Sequence, residues 1–192
     1  MRTFQETMAD VLAFTPQAFA ALGAHLKPEW LIEALAAGAG SQEQVETRRR
    51  KLPAERVLWM VIGMGLFRDR SIQEVVEHLG VSLSQPGPRA GIAPSAIPQA
   101  RARLGSDPVQ HLFELTAEHW AHSQAKSTPC RGLSVYGLDG TCLRVPDTAE
   151  NEAAFGKPQG GRASSGYPQV RLVGLMSLRS HTLAGISVGG FR

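Results

Sequence analysis

Residues 136–147 read YGLDGTCLRVPD, and the carboxylate at Asp139 admits two uses. Asp-Gly between two apolar, β-favouring runs is a strong hairpin signal, because a type I′ turn needs positive φ at both central residues. Alternatively, Asp139 ends a buried strand, where a carboxylate at a sheet edge can ligate a hard cation. A strand over 133–139 would put Leu133, Val135, Gly137 and Asp139 on one face and Ser134, Tyr136 and Leu138 on the other. Both faces are mostly apolar, as in a central strand. A carboxylate there must be solvated, paired or metal-bound. Asp147 and Glu150 follow, in a polar loop. On residue types alone the turn is the simpler reading, and the metal reading stays open.

The basic residues also carry two readings. Arg48, Arg49, Arg50 and Lys51, followed by Arg56, are the densest charge in the chain. They suit a solvated helix end, where cations complement the dipole, or contacts to DNA phosphates. Gln99, Arg101 and Arg103 fall in SAIPQARARLG, a short helix pattern that follows a capped one. A helix-turn-helix would send that second helix into the major groove, where Arg pairs with guanine and Gln with adenine. Against it, the link from about Gly80 to Pro94 is far longer than the usual three- or four-residue turn. His119 and His122 lack a Cys or carboxylate at ligand spacing and are expected on the surface or at a helix cap, not on a metal. The glycines of GMGLF, at Gly63 and Gly65, follow no strand. They are expected to serve close helix packing rather than a phosphate loop. Cys130 and Cys142 lie outside any C-x-x-C pattern and read as free thiols of a reducing compartment.

The elements that must position these residues are helical first. Pro28 suits the first turn of a helix carrying Trp30, Leu31, Ala34 and Leu35 on one face. Pro53 opens an all-round apolar helix to about Phe67, the expected central core helix. Ser71 and Glu74 form a capping-box pattern ahead of Ile72, Val75, Val76 and Leu79. Gly105 stops the Arg101/Arg103 helix. Asp107 and Pro108 begin another, to about Ser123, with Val109, Leu112, Phe113, Thr116 and Trp120 on one face. After Lys126 the texture changes to β-branched and apolar runs split by Gly, Pro and Ser. The expectation is an α+β fold: a helical domain over 1–126, then a sheet within 127–192 with strands near 133–145, 169–178 and 182–190, which the family resemblance described below implies to be antiparallel. The loop between Asp147 and Tyr167 is long enough to be functional or mobile.

Composition sets wide bounds. The 192 residues are 43% hydrophobic and 19% charged, which excludes a chain disordered by composition. With 20 basic and 17 acidic residues, any attraction to nucleic acid must come from local clusters. The start MRTFQETMAD has no signal-peptide core, and the apolar run Val57–Phe67 is too short to span a bilayer. A cytoplasmic protein with no membrane partner is expected.

Taken in order, LPAERVLWMVIGMGLFRDRSIQEVVEHLG, SAIPQARARLGSDPVQHLFE and YGLDGTCLRVPDTAENEAAFG resemble a DDE transposase of the insertion-element-four type. The resemblance runs from about Lys27 to the end of the chain. It rests on LFRDRS, an R-x-R-L-G helix end, L-D-G-T and N-x-x-A-F-G in that order. It implies a helical N-terminal domain that binds element-end DNA, followed by the opening of a ribonuclease-H-like catalytic domain. Asp139 then matches the first catalytic aspartate, a ligand of Mg²⁺ ions that activate the attacking hydroxyl and stabilise the leaving oxygen. The second Asp and the Glu of that family find no counterpart, since Glu152 is the last acid. The resemblance therefore implies a truncated transposase, inactive alone: a fragment, a pseudogene product or half of a frameshifted gene.

Three functions compete at this level. One is a metal-dependent DNA transposase in truncated form. Another is a module that binds terminal inverted repeats as a homodimer or beside a full-length transposase, which it could inhibit. The third is a helical and β protein with no nucleic-acid partner.

Overall fold

The computed structural model describes residues 22–39, 52–78, 93, 95–127, 129–158 and 166–190. The fold is α+β. The chain forms two compact units that divide between Phe113 and Glu114.

The first unit is helical. Helix α1 (Pro28–Ala39) begins on Pro28, carries Glu29 in its first turn, and buries Leu31 and Ala34. Helix α2 (Ala54–Leu66) follows the extended Pro53 and buries Val57, Leu58, Trp59, Met60 and Gly63. Trp59 and Met60 have no exposed surface, and α2 packs against its neighbours as the core element the sequence predicts. Each such fully buried apolar side chain contributes about 1.5–3 kcal/mol. Gly63 fits the packing reading of GMGLF. Gly65 does not: it is exposed, and a Cβ there would meet nothing within 4 Å.

Helix α3 (Ile72–His78) realises the capping box in full. Ser71 Oγ accepts from the Glu74 backbone at 3.3 Å, and Glu74 Oε2 accepts from the Ser71 N–H at 2.8 Å. Helix α4 (Ala96–Leu104) buries Ile97, Ala100 and Leu104 and stops at Gly105, whose φ of 72° suits glycine. Helix α5 (Asp107–Thr116) starts on Asp107 and Pro108 as expected. Pro108 packs so close to Gly38 of α1 that a Cβ at position 38 would collide with its ring.

In the second unit the helix run continues through a π-helical segment, Ala117–His122, into α6 (Ser123–Ser127). The Ser123 N–H and Oγ both reach back five residues to the Glu118 carbonyl. The expected single face of Leu112, Thr116 and Trp120 is not maintained. The buried row steps from Leu112 to Ala117, then to Ala121 and Ala125. One extra residue in the turn rotates the downstream face, and small alanines then let the π segment approach the sheet.

Strands β1 (Tyr136–Arg144), β2 (Gln169–Ser177) and β3 (Leu183–Gly190) form an antiparallel sheet in the order β1-β2-β3. These match the three expected strands. Asp139 stands opposite Gly174, and Gly174 opposite Ile186. A bulge lies at Leu175/Met176. Between β1 and β2, helix α7 (Ala149–Phe155) is capped by Thr148 Oγ1, which accepts from Asn151 N–H. Its end lies against Gly190, where a Cβ would come within 2.8 Å of the Phe155 carbonyl oxygen.

The π segment is fastened to the sheet by His122. Its Nδ1 lies 2.8 Å from the Tyr136 hydroxyl, and its Nε2 3.1 Å from the Ala184 carbonyl. A carbonyl only accepts, so Nε2 carries a proton, and in the neutral imidazole Nδ1 then accepts from the Tyr136 hydroxyl.

Candidate nucleic-acid interface and carboxylate site

Asp139 is neither in a turn nor at a strand end. It is the fourth residue of β1, and the strand runs unbroken from Tyr136 to Arg144. Every residue of that run pairs with 169–177, and a two-residue turn at Asp139–Gly140 would forfeit that ladder. Gly137, Asp139, Thr141 and Leu143 share one face, with Gly174 across from Asp139. Glycine on either side keeps Cβ atoms away from the carboxylate. Leucine methyl groups reach in instead: Leu178 over Gly137 and Leu183 over Gly174. Asp139 is exposed, so its charge is solvated, and its Oδ1 accepts from the Gly140 N–H at 2.8 Å.

The neighbouring acids do not join it. Lys157 Nζ holds Asp147 at 2.8 Å and Glu152 at 3.1 Å, and these two carboxylates raise its pKa above the ordinary lysine value. Hydrogen bonds from its own backbone N–H and from Thr148 lower Glu150 below the ordinary carboxylate value. Among the described residues no group of three His, Cys, Asp or Glu could hold a metal ion. An Mg²⁺ pair therefore does not fit this set of residues: a single carboxylate oxygen donor is present where hard cations need several. His119 and His122 form no metal site either. His122 is half-buried and committed to Tyr136 and Ala184, a structural bridge the sequence did not reveal. Cys130 and Cys142 are free and exposed.

Helix α4 separates its faces clearly. Ile97, Ala100 and Leu104 are buried, while Gln99, Arg101 and Arg103 are exposed. Gln99 and Arg103 are four apart and adjacent on the outer surface, and Arg101 flanks the buried stripe. Arg48, Arg49, Arg50 and Lys51 lie outside the described residues, as does the long link before α4. Arg56 is half-buried on α2, beside Glu55, whose pKa burial raises against the opposing pull of Arg56. No helix among the described residues is long and apolar enough to cross a membrane.

The described residues thus give a helical unit whose α4 exposes Gln99, Arg101 and Arg103, and a sheet with a solvated mid-strand carboxylate. Residues 16–114 match the family model for the insertion element 4 transposase N-terminal region, and the chain belongs to that family. It is 40% identical over 168 residues to the transposase InsG for insertion sequence element IS4 of Escherichia coli K12, covering 88% of this chain and 36% of InsG. It is 32% identical over 169 residues to InsZ of the same strain, covering 88% of this chain and 54% of InsZ. The chain thus spans between about a third and about half of the length of these curated relatives. No solved structure gives a significant match.

Proposed function

We propose that this chain is the DNA-end-binding part of a transposase joined to the opening of its catalytic domain. The observation that carries the reading is α4: three buried apolar residues fix the helix, and Gln99, Arg101 and Arg103 face solvent within the family-matched region. Element-end DNA, in the form of terminal inverted repeats, is the proposed partner. Arg101 and Arg103 contact base edges or the adjacent phosphates, and Gln99 an adenine. Arg48, Arg49, Arg50 and Lys51 supply phosphate contacts that hold the duplex whatever its sequence. The division of labour runs at residues 126/127, DNA recognition before it and a ribonuclease-H-like portion after it. Asp139, on the middle of β1, is the carboxylate offered to a divalent ion such as Mg²⁺. The described residues do not complete that site, so no catalytic step is assigned to this chain.

Gel-shift titrations of the full chain test the reading. Duplexes carrying the element ends should bind more tightly than random duplexes. Arg101→Ala should erode that preference by about 1–3 kcal/mol, whereas Arg49→Ala should weaken both duplexes alike. Equal affinity for both duplexes, with Arg101→Ala lacking any effect, would refute it.

A further inference from the structure

The sheet unit carries a cleft of about 620 Å³ that the DNA-end reading does not use. Its walls come from the end of α6, the turn at 129–133, and the join between Val135 and Leu178. Hydrogen bonds hold these walls in place. Arg131 and Gly132 both have positive φ, 51° and 83°, and the Cys130 and Leu133 backbones exchange hydrogen bonds of 2.9 and 3.0 Å across them. That is a tight two-residue turn. Just past it, Ser134 Oγ donates to the Ala125 carbonyl at 3.1 Å, and the Leu178 N–H to the Val135 carbonyl at 3.3 Å. The cleft is therefore built into the fold, and its volume lies in the range of small-molecule sites.

The lining is mostly apolar. Ala125, Pro129, Val135 and Leu178 supply carbon, and Val135 and Leu178 are left 43% and 47% exposed. The Cys130 thiol and the Arg179 guanidinium stand among them. The Ser127 hydroxyl is spent on the Gln124 carbonyl at 3.0 Å. Among the described residues no acid pairs with Arg179. The segments that form the cleft bring none, since the chain has no Asp or Glu between Glu118 and Asp139 or beyond Glu152. Lys126, on the same short helix as Ala125, is already paired with Glu118 at 3.0 Å. A ligand that fits must cover carbon and carry one negative charge. A guanidinium takes a carboxylate through two parallel hydrogen bonds. A nucleic-acid backbone meets only the charge requirement, because its phosphates have no apolar group to lay on Val135 and Leu178. We infer that this cleft binds a small aliphatic monocarboxylate, with its chain on Val135 and Leu178 and its carboxylate on Arg179. The site is independent of α4 and of Asp139.

Cys130 reports on the cleft and Cys142 is its control: Cys142 is also exposed, but lies six residues along β1 from Tyr136, roughly 20 Å away. Alkylation of the full chain by iodoacetamide is followed at each thiol by peptide mass spectrometry. The probe is octanoate below its micellar concentration. Octanoate should slow alkylation of Cys130 in a saturable way and leave Cys142 unchanged. Arg179→Gln should weaken octanoate about tenfold, the low end for hydrogen bonds to a charged group at an open site. Uncharged octanol should bind wild type and variant alike. Octanoate that protects neither thiol, or both equally, overturns the site. So does an Arg179→Gln chain that keeps wild-type affinity for octanoate. A random-sequence duplex that protects Cys130 more strongly than saturating octanoate assigns the cleft to nucleic acid and overturns the proposal too. Arg179 is exposed in the turn between β2 and β3, and the wild-type labelling stands without any variant.

Discussion

Replacing His122 with Phe tests how the π segment is fastened to the sheet. Phe keeps the ring volume and removes both polar contacts. The Tyr136 hydroxyl loses its acceptor, and because Tyr136 is half-buried, water replaces part of it, at a cost of about 0.5–1.5 kcal/mol. The Ala184 carbonyl loses its donor. Ala184 is 7% exposed, so desolvation of that oxygen costs about 1–3 kcal/mol. The sum is about 1.5–4.5 kcal/mol, borne by the sheet unit. Tyr136→Phe removes only the first contact and should cost about 1 kcal/mol. Because the two changes share one hydrogen bond, the double variant should fall short of additivity by about 1 kcal/mol. Hydrogen exchange followed by mass spectrometry reads this locally. Peptides covering β1 and β3 should lose protection by roughly 10- to 1,600-fold in His122→Phe, at about 1.4 kcal/mol per factor of ten. Peptides covering α2 should be unchanged. Undiminished protection of β3, or a fully additive cycle, would show that the bridge is incidental and that alanine packing alone holds the segment.

Other substitutions probe other joints. Ser71→Ala removes the cap of α3 and should cost about 1 kcal/mol, seen as faster exchange over 72–78, with Glu74→Ala giving a similar but non-additive loss. Gly190→Val puts side-chain atoms against the Phe155 carbonyl, so β3 and α7 must separate at a cost of about 1–3 kcal/mol. A chemical-denaturation midpoint equal to wild type would refute that close approach. Glu55 has a buried Oε1 without a hydrogen-bond partner, and burial raises its pKa. The folded state therefore favours the protonated acid. Its contribution is present below the ordinary carboxylate pKa and lost as pH rises through the raised value. Glu55→Gln should remove that slope and leave the chain more stable than wild type at neutral pH, as measured by urea unfolding across the acidic range.

Legibility in the sequence followed the range of the forces involved. Local signals came through: Pro28, the Ser71/Glu74 box, Asp107–Pro108 and the Gly105 stop depend on residues a turn apart, and each stands where expected. The three strands and the α+β class were also legible, because β-branched and apolar runs split by Gly, Pro and Ser have few alternatives. Asp139 misled on local grounds. Asp-Gly is the strongest short turn signal, and only pairing with residues thirty or more positions away keeps it extended. The π turn was invisible for a related reason. AEHWAH has no residue that demands i→i+5 bonding, and the segment's packing is against strands far along the chain. His122 was unreadable as a bridge because its partners lie 14 and 62 residues onward.

The two faces of the sheet are closed in different ways. On one face the π segment covers an end, where His122 meets Tyr136 and Ser177 is fully buried. On the other, α7 sits against Gly190, and Asp139 stays exposed in the middle, with Gly137 beside it and Gly174 across from it. Any group that reaches the Asp139 carboxylate must therefore approach over the open middle of that face, where the absence of Cβ atoms at both glycines leaves it accessible.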